Sequence, residues 1–324
     1  MNSKRLLILR AVSFSIALVM LAALSVSCGK RASDGKPKTE ANTGSDKAEY
    51  PFLVHTASAT WHLAAADIAL LGEDAFYEGL YAILEDQDKD FADAREALKD
   101  YIPEDVPAID IFTDFCGTAD STGTADAIYD RESNAIKLYT GWHAVSTTLL
   151  HEYVHYLTRH CMARQASAGF YAEGVAEYVS CIACKNRMTR RVYTDLPEEE
   201  TAEARSHGVW DEAENCLDVK KYYFSYASAM AAGETIGQEY FAVTDLFEMR
   251  TEEVQQNPTI WNVSHIEAAC IFAYLIETYS METVMTALST DPDNFAYVFG
   301  KSFSRTYRDW VEWNAEKCAE LGLS

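Results

Sequence analysis

Two histidines one helical turn apart are the residues of this sequence best suited to chemistry. The stretch His151-Glu152-Tyr153-Val154-His155 places the imidazoles four positions apart. On a helix, residues four apart lie on the same face, so both imidazoles can bind one metal ion. Glu152 follows the first histidine and can reach a water on that ion without being a ligand. The pattern predicts a metal centre with Glu152 as its general base.

A second stretch offers a third ligand. Residues Tyr171–Tyr178 contain a glutamate, Glu173, on what helical spacing predicts to be a second helix after His155. A catalytic zinc site takes three protein ligands and leaves one position open for water. We therefore predict one Zn²⁺ ion, held by His151, His155 and Glu173.

The spacing of apolar residues predicts the elements that position these groups. Strands are expected at Phe52–Thr56 and Ala108–Phe115, followed by a hairpin of Ala127–Asp130 and Ala135–Tyr139. Helices are expected at Trp61–Leu84, Phe91–Tyr101, Ser146–Arg159, Tyr171–Ala183, Ser264–Tyr279, Met281–Leu288 and Thr306–Leu321. Ser146 is the expected N-cap of the helix with the two histidines. The expected fold class is α+β, a small mixed sheet with an active-site helix pair followed by a mostly helical C-terminal region.

Together, the two metal motifs resemble those of the gluzincin zinc metallopeptidases. In that family a glutamate of an E-G-x-A-x-Y stretch is the third zinc ligand, which corresponds to Glu173 here. More narrowly, the chain is similar to bacterial peptidase MA-like domains, which have a helix like Ala268–Tyr279, an aromatic-glycine turn like Phe299-Gly300 and a following helix with a tryptophan like Trp310. The resemblance implies a thermolysin-like metallopeptidase domain over residues 50–322.

The resemblance also implies how peptide bonds would be hydrolysed. Zinc lowers the pKa of its water and polarises the substrate carbonyl, while Glu152 takes the water proton and passes it to the leaving amine. Metzincins are excluded, because their glycine and third histidine would fall at Thr158 and Cys161. The alternative is a catalytically inactive gluzincin-like surface lipoprotein that binds a protein or a glycan. Intact His151 and Glu152 argue against it.

The first residues predict export. Basic residues in Met1–Arg10 precede the apolar or small residues of Ala11–Val26, which is typical of a signal peptide. Cys28 follows, as the lipidated cysteine does in bacterial lipoproteins. We expect a signal peptide over residues 1–27, a lipid anchor at Cys28 outside the cytoplasmic membrane, and a disordered tether over residues 29–49. A plain signal peptide with an incidental cysteine is the alternative.

The net charge excludes another class of function. At −23, the chain repels nucleic acids and anionic surfaces, so we expect a peptide or protein substrate and no nucleic acid.

Other residues remain open at this stage. Glu177 is four positions after Glu173 and is a candidate to accept a hydrogen bond from a ligating histidine. The candidates to stabilise the transition state are Tyr222, Tyr223, Tyr226, Tyr240 and His265, and their spacing does not choose among them. Of the eight cysteines, Cys161 is expected to meet Cys181 or Cys184 if the two site helices pack together.

Overall fold

The computed structural model describes residues 39–117, 126–159, 161, 169–194, 196–231, 258–290 and 295–323. Within these ranges, a mixed sheet forms first and helices dominate afterwards, so the predicted α+β class is confirmed. The predicted signal peptide, Cys28 and Tyr240 lie outside the described residues.

The sheet has six strands in the order β1-β2-β3-β4-β6-β5. Their bounds are Thr39–Ala41 (β1), Phe52–His55 (β2), Ala59–Leu63 (β3), Ile109–Thr113 (β4), Ala127–Asp130 (β5) and Ala135–Leu138 (β6). β4 is parallel to β3 and β6, and the other pairs are antiparallel. The strands predicted at Phe52–Thr56 and Ala108–Phe115 and the predicted hairpin are therefore confirmed, and β5 lies at an edge of the sheet.

Two expectations for the N-terminal half are wrong. Residues 39–49 belong to the folded domain and not to a tether, since β1 pairs with β2 in the register Thr39↔Val54. Strands pair through hydrogen bonds between backbone N–H and C=O groups, and a polar sequence has these groups as well as an apolar one. Trp61 lies on β3 and not on a helix; it is fully buried, and its indole N–H donates to Gln87 Oε1 at 2.9 Å. The sequence pattern misleads here, because Trp61 also fits the helical spacing of the apolar residues that follow it, and this spacing obscures the alternation typical of a strand.

Helices cover the sheet and form the C-terminal region. They are α1 (Ala65–Leu71), α2 (Glu73–Leu98), α3 (Trp142–Thr158), α4 (Gly169–Glu177), α5 (Arg187–Val192), α6 (Glu198–Ser206), α7 (Val219–Ala231), α8 (Pro258–Tyr279), α9 (Met281–Ser289), α10 (Phe295–Phe299) and α11 (Phe303–Glu320). A π-helical turn, Tyr178–Ala183, continues α4, and a two-stranded hairpin, β7 (Trp210–Asp211) with β8 (Cys216–Leu217), precedes α7. Among the described helices, none combines the length and apolarity needed to cross a membrane.

Helix α3, which carries the two histidines, begins one turn earlier than predicted. Its N-cap is Gly141, whose φ of 109° lies in a region that favours glycine. Ser146 is not the cap; it lies inside the helix, and its hydroxyl donates to the Trp142 carbonyl at 2.9 Å. Tyr153 anchors the buried face of α3 to α2 by stacking on Phe91, with ring centroids 3.6 Å apart.

Helix α4, which carries Glu173, packs closely on α8 because it has a glycine at the contact. A Cβ atom on Gly174 would overlap the ring of Phe272, which is fully buried on α8. The absent side chain lets the two helices approach, and α8 thereby brings His265 next to Glu173.

We expect Gly174→Ala to destabilise the fold by about 1–3 kcal/mol, since the added methyl overpacks a filled contact. The measurement is the free energy of unfolding in urea. The same substitution in a Phe272→Leu background should cost clearly less, because the smaller side chain makes room. Equal costs in the two backgrounds would show that Phe272 is not the cause.

Candidate metal centre

Three predicted ligands converge at one point between α3 and α4. His151 Nε2 lies 2.9 Å from His155 Nε2 and 3.0 Å from Glu173 Oε2, and His155 Nε2 lies 3.3 Å from the same oxygen. The two histidines come from one face of α3, while Glu173 reaches across from α4. The structure thus brings together the residues that the sequence placed on separate helices, in a group close enough to hold a metal ion.

The chemistry of these donor atoms fits a divalent cation. His151 Nδ1 lies 3.1 Å from Glu177 Oε1, so a proton on Nδ1 serves that carboxylate and leaves the Nε2 lone pair facing the cluster. Zinc ligands at about 2.0–2.2 Å from the metal lie roughly 3.3–3.6 Å from one another in a tetrahedron. The observed spacings need only a small outward adjustment to reach those values. Two imidazoles and a carboxylate therefore fit zinc.

The carboxyl groups around this point are largely shielded from solvent and lie beside imidazoles. Burial raises the pKa of Glu152, and the imidazoles of His155 and His151 offset part of that rise. Burial acts in the same direction on Glu173, but the adjacent imidazoles hold the pKa of its carboxyl well below the usual range. Burial disfavours the charged form of His151, yet Glu177 and Glu173 raise the pKa of its imidazole well above the ordinary value. A cation at this point would take over the balancing of charge that the imidazoles now perform.

Glu152 is held by the edge of the sheet. The backbone N–H of Tyr129, on β5, donates to Glu152 Oε2 at 2.7 Å. Because β5 is an edge strand, this amide is not needed to pair with another strand. The sheet thus fixes one oxygen of the predicted general base.

The contacts of Glu177 bear on the role that the sequence leaves open for it. Its Oε1 contacts His151 Nδ1, as expected of a group that orients a ligating histidine. Its Oε2 accepts a hydrogen bond from the hydroxyl of Tyr223 at 3.1 Å. Tyr223 is therefore connected to His151 through the carboxylate of Glu177.

The other candidates for transition-state stabilisation occupy different places. His265 Nε2 lies 3.4 Å from Glu173 Oε2, so α8 brings this histidine to the edge of the centre. Tyr222 and Tyr226 contact each other, with ring centroids 5.7 Å apart. His265 carries no sequence signal that distinguishes it, since its contact depends on how α8 packs.

The expected cysteine pairing is wrong. The described cysteines, from Cys116 to Cys318, are free thiols. Cys161 donates to the Tyr101 carbonyl at 2.9 Å, whereas Cys181 contacts Glu177 and Tyr223. The two site helices do pack together, but their cysteines turn towards different neighbours.

No protein family, curated protein or solved structure matches this chain in the comparisons that we made with them. The interpretation of the centre therefore depends on its own geometry.

We expect zinc to stabilise the folded chain, because a ligand that binds only the folded state raises its stability. At a free zinc concentration 100 times the dissociation constant, the gain is about 2.7 kcal/mol. The measurement is urea unfolding with zinc and with chelator. His155→Ala should abolish the gain, while His143→Ala, on the same helix, should keep it. A gain that survives His155→Ala would place the metal elsewhere.

Proposed function

We propose that this chain is a zinc metallopeptidase of the gluzincin kind, with a thermolysin-like arrangement of its site. The observation that carries the proposal is the convergence of His151 Nε2, His155 Nε2 and Glu173 Oε2 within 3.3 Å. Glu152 lies beside the first of these residues on the same helix, where it can act as the general base for peptide hydrolysis.

His151, His155 and Glu173 would hold one Zn²⁺ ion. When bound, zinc supplies a Lewis acid that polarises a carbonyl and acidifies water. Glu152 would move the proton: its Oε2 is fixed by the Tyr129 amide, and we assign Oε1 to take the proton from water and return it to the leaving amine. Burial raises the pKa of Glu152 and so makes its carboxylate a better proton acceptor.

The partly exposed side of α3 could accommodate an extended polypeptide substrate. Most of the helix is buried, but a stripe of partly exposed residues runs along one side of it, formed by His143, Thr147, Thr148, His151, Glu152 and His155. β5 lies beside this helix, as the Tyr129 contact shows. A polypeptide strand laid along this stripe, beside the sheet edge, would lie next to Glu152.

The setting of the enzyme follows from the sequence expectations. An exported chain with a lipid anchor at Cys28 would act at the bacterial cell envelope, on peptide or protein substrates. Its net charge of −23 is consistent with such substrates and not with nucleic acids.

We expect Glu152→Gln to bind zinc normally and to lose peptide hydrolysis by about 10²- to 10⁴-fold, since the amide cannot accept the proton. The measurements are metal content and the cleavage of casein. Glu316→Gln, an exposed glutamate on α11, is the matched control and should keep full activity.

Two results would contradict the proposal. Full activity of Glu152→Gln would show that Glu152 is not the general base. A wild-type chain that is loaded with zinc and cleaves no peptide would favour the inactive binding protein.

A further inference from the structure

A chain of polar contacts runs from α7 to the proposed metal ligands. The Tyr223 hydroxyl donates to Glu177 Oε2 at 3.1 Å, and the other oxygen, Oε1, lies 3.1 Å from His151 Nδ1. Cys181 is the remaining neighbour, with its sulfur 3.5 Å from Glu177 Oε2 and 3.3 Å from the Tyr223 hydroxyl. Glu177 is only 9% exposed, so its orientation depends on these protein contacts.

The two oxygens of Glu177 have different tasks. Oε1 faces His151 Nδ1 at 3.1 Å, and the charge of the carboxylate favours the tautomer with a proton on Nδ1, in which Nε2 can bind a metal. Oε2 is held by the phenol, which fixes the plane of the carboxylate. If the phenol were lost, the described residue left as a donor to Oε2 would be a thiol, a weak donor, and the carboxylate would rotate more freely.

The position of Tyr223 makes this anchor independent of the helices that carry the ligands. Tyr223 lies on α7, which packs against the π-helical turn Tyr178–Ala183. Cys181 is in that turn, four residues after Glu177. Through Tyr223, the C-terminal region therefore supports the proposed metal centre, although Tyr223 itself is not a ligand.

We propose that Tyr223 is a positioning residue that sets the metal affinity by holding Glu177, and through it His151. This inference rests on the proposed zinc centre. The hydroxyl acts on the ligand geometry, whereas the ring only packs, so removing the hydroxyl alone separates the two roles.

The experiment measures zinc affinity on the full chain, by competition with a chromophoric chelator. Tyr223→Phe keeps the ring and should weaken zinc binding by about 10-fold or more, the usual loss for a group that supports a ligand. Tyr222→Phe is the matched control, since it removes a hydroxyl from the adjacent residue of α7, and it should bind zinc as the wild type does. With Co²⁺ in place of zinc, the visible absorption bands should shift in Tyr223→Phe and not in Tyr222→Phe.

A double-mutant comparison tests the route through Glu177. In a Glu177→Ala background, Tyr223→Phe should add little further loss, because the hydroxyl then has no carboxylate to hold. Wild-type affinity of Tyr223→Phe, equal losses in both tyrosine variants, or full additivity would each overturn the inference. If Glu177→Ala does not fold, the two tyrosine variants and their Co²⁺ spectra still decide.

The affinity data also separate this inference from the proposed function. A wild-type chain that binds zinc but cleaves no peptide would contradict the metallopeptidase and leave the role of Tyr223 supported if Tyr223→Phe alone weakens binding. A wild-type chain that binds no zinc would overturn both.

Discussion

Two imidazole nitrogens and a carboxylate oxygen lie within 3.3 Å of one another in a partly buried site, and they can do so only if the protons and charges between them are balanced. Burial by itself drives carboxyls towards their neutral form, yet the pKa of Glu173 and of Glu177 is lowered, because imidazoles face both groups. A divalent cation resolves this crowding more completely than shared protons do. The rest of the domain is arranged around this small cluster.

Each group in the cluster is held by a different part of the fold. The sheet edge fixes Glu152 through the Tyr129 amide, and α7 fixes Glu177 through Tyr223. α8 closes the far side, where His265 meets Glu173. Helices α3 and α4 supply the ligands, but elements distant in sequence hold them in place. Such support is what a preorganised site requires, since a loose carboxylate would lose its alignment.

Much of the architecture was accessible from pattern alone, and the errors have specific physical causes. The sequence predicts β4 because Ile109, Ile111 and Thr113 alternate with Asp110 and Phe112, and the burial of Ile109–Thr113 follows that alternation. Trp61 was assigned to a helix, because a tryptophan followed by apolar residues at helical spacing fits either element until a partner strand is known. Residues 39–49 were assigned to a tether, since strand pairing by backbone groups leaves little trace in a polar sequence. The predicted pairing of Cys161 with Cys181 or Cys184 is wrong, because it needs one particular rotation of the two site helices about their axes. Local spacing does not give that rotation.

The sequence by itself determined that His151 and His155 share one face of α3, because a spacing of four within one helix fixes two side chains on one face whatever surrounds them. It also indicated Glu173 and the α+β class, through local motifs and periodicity. Only the tertiary structure decided that Tyr223 donates to Glu177, that His265 contacts Glu173 and that the amide of Tyr129 holds Glu152. These contacts join elements far apart in the chain. Their geometry depends on how helices and sheet pack, which no local spacing encodes.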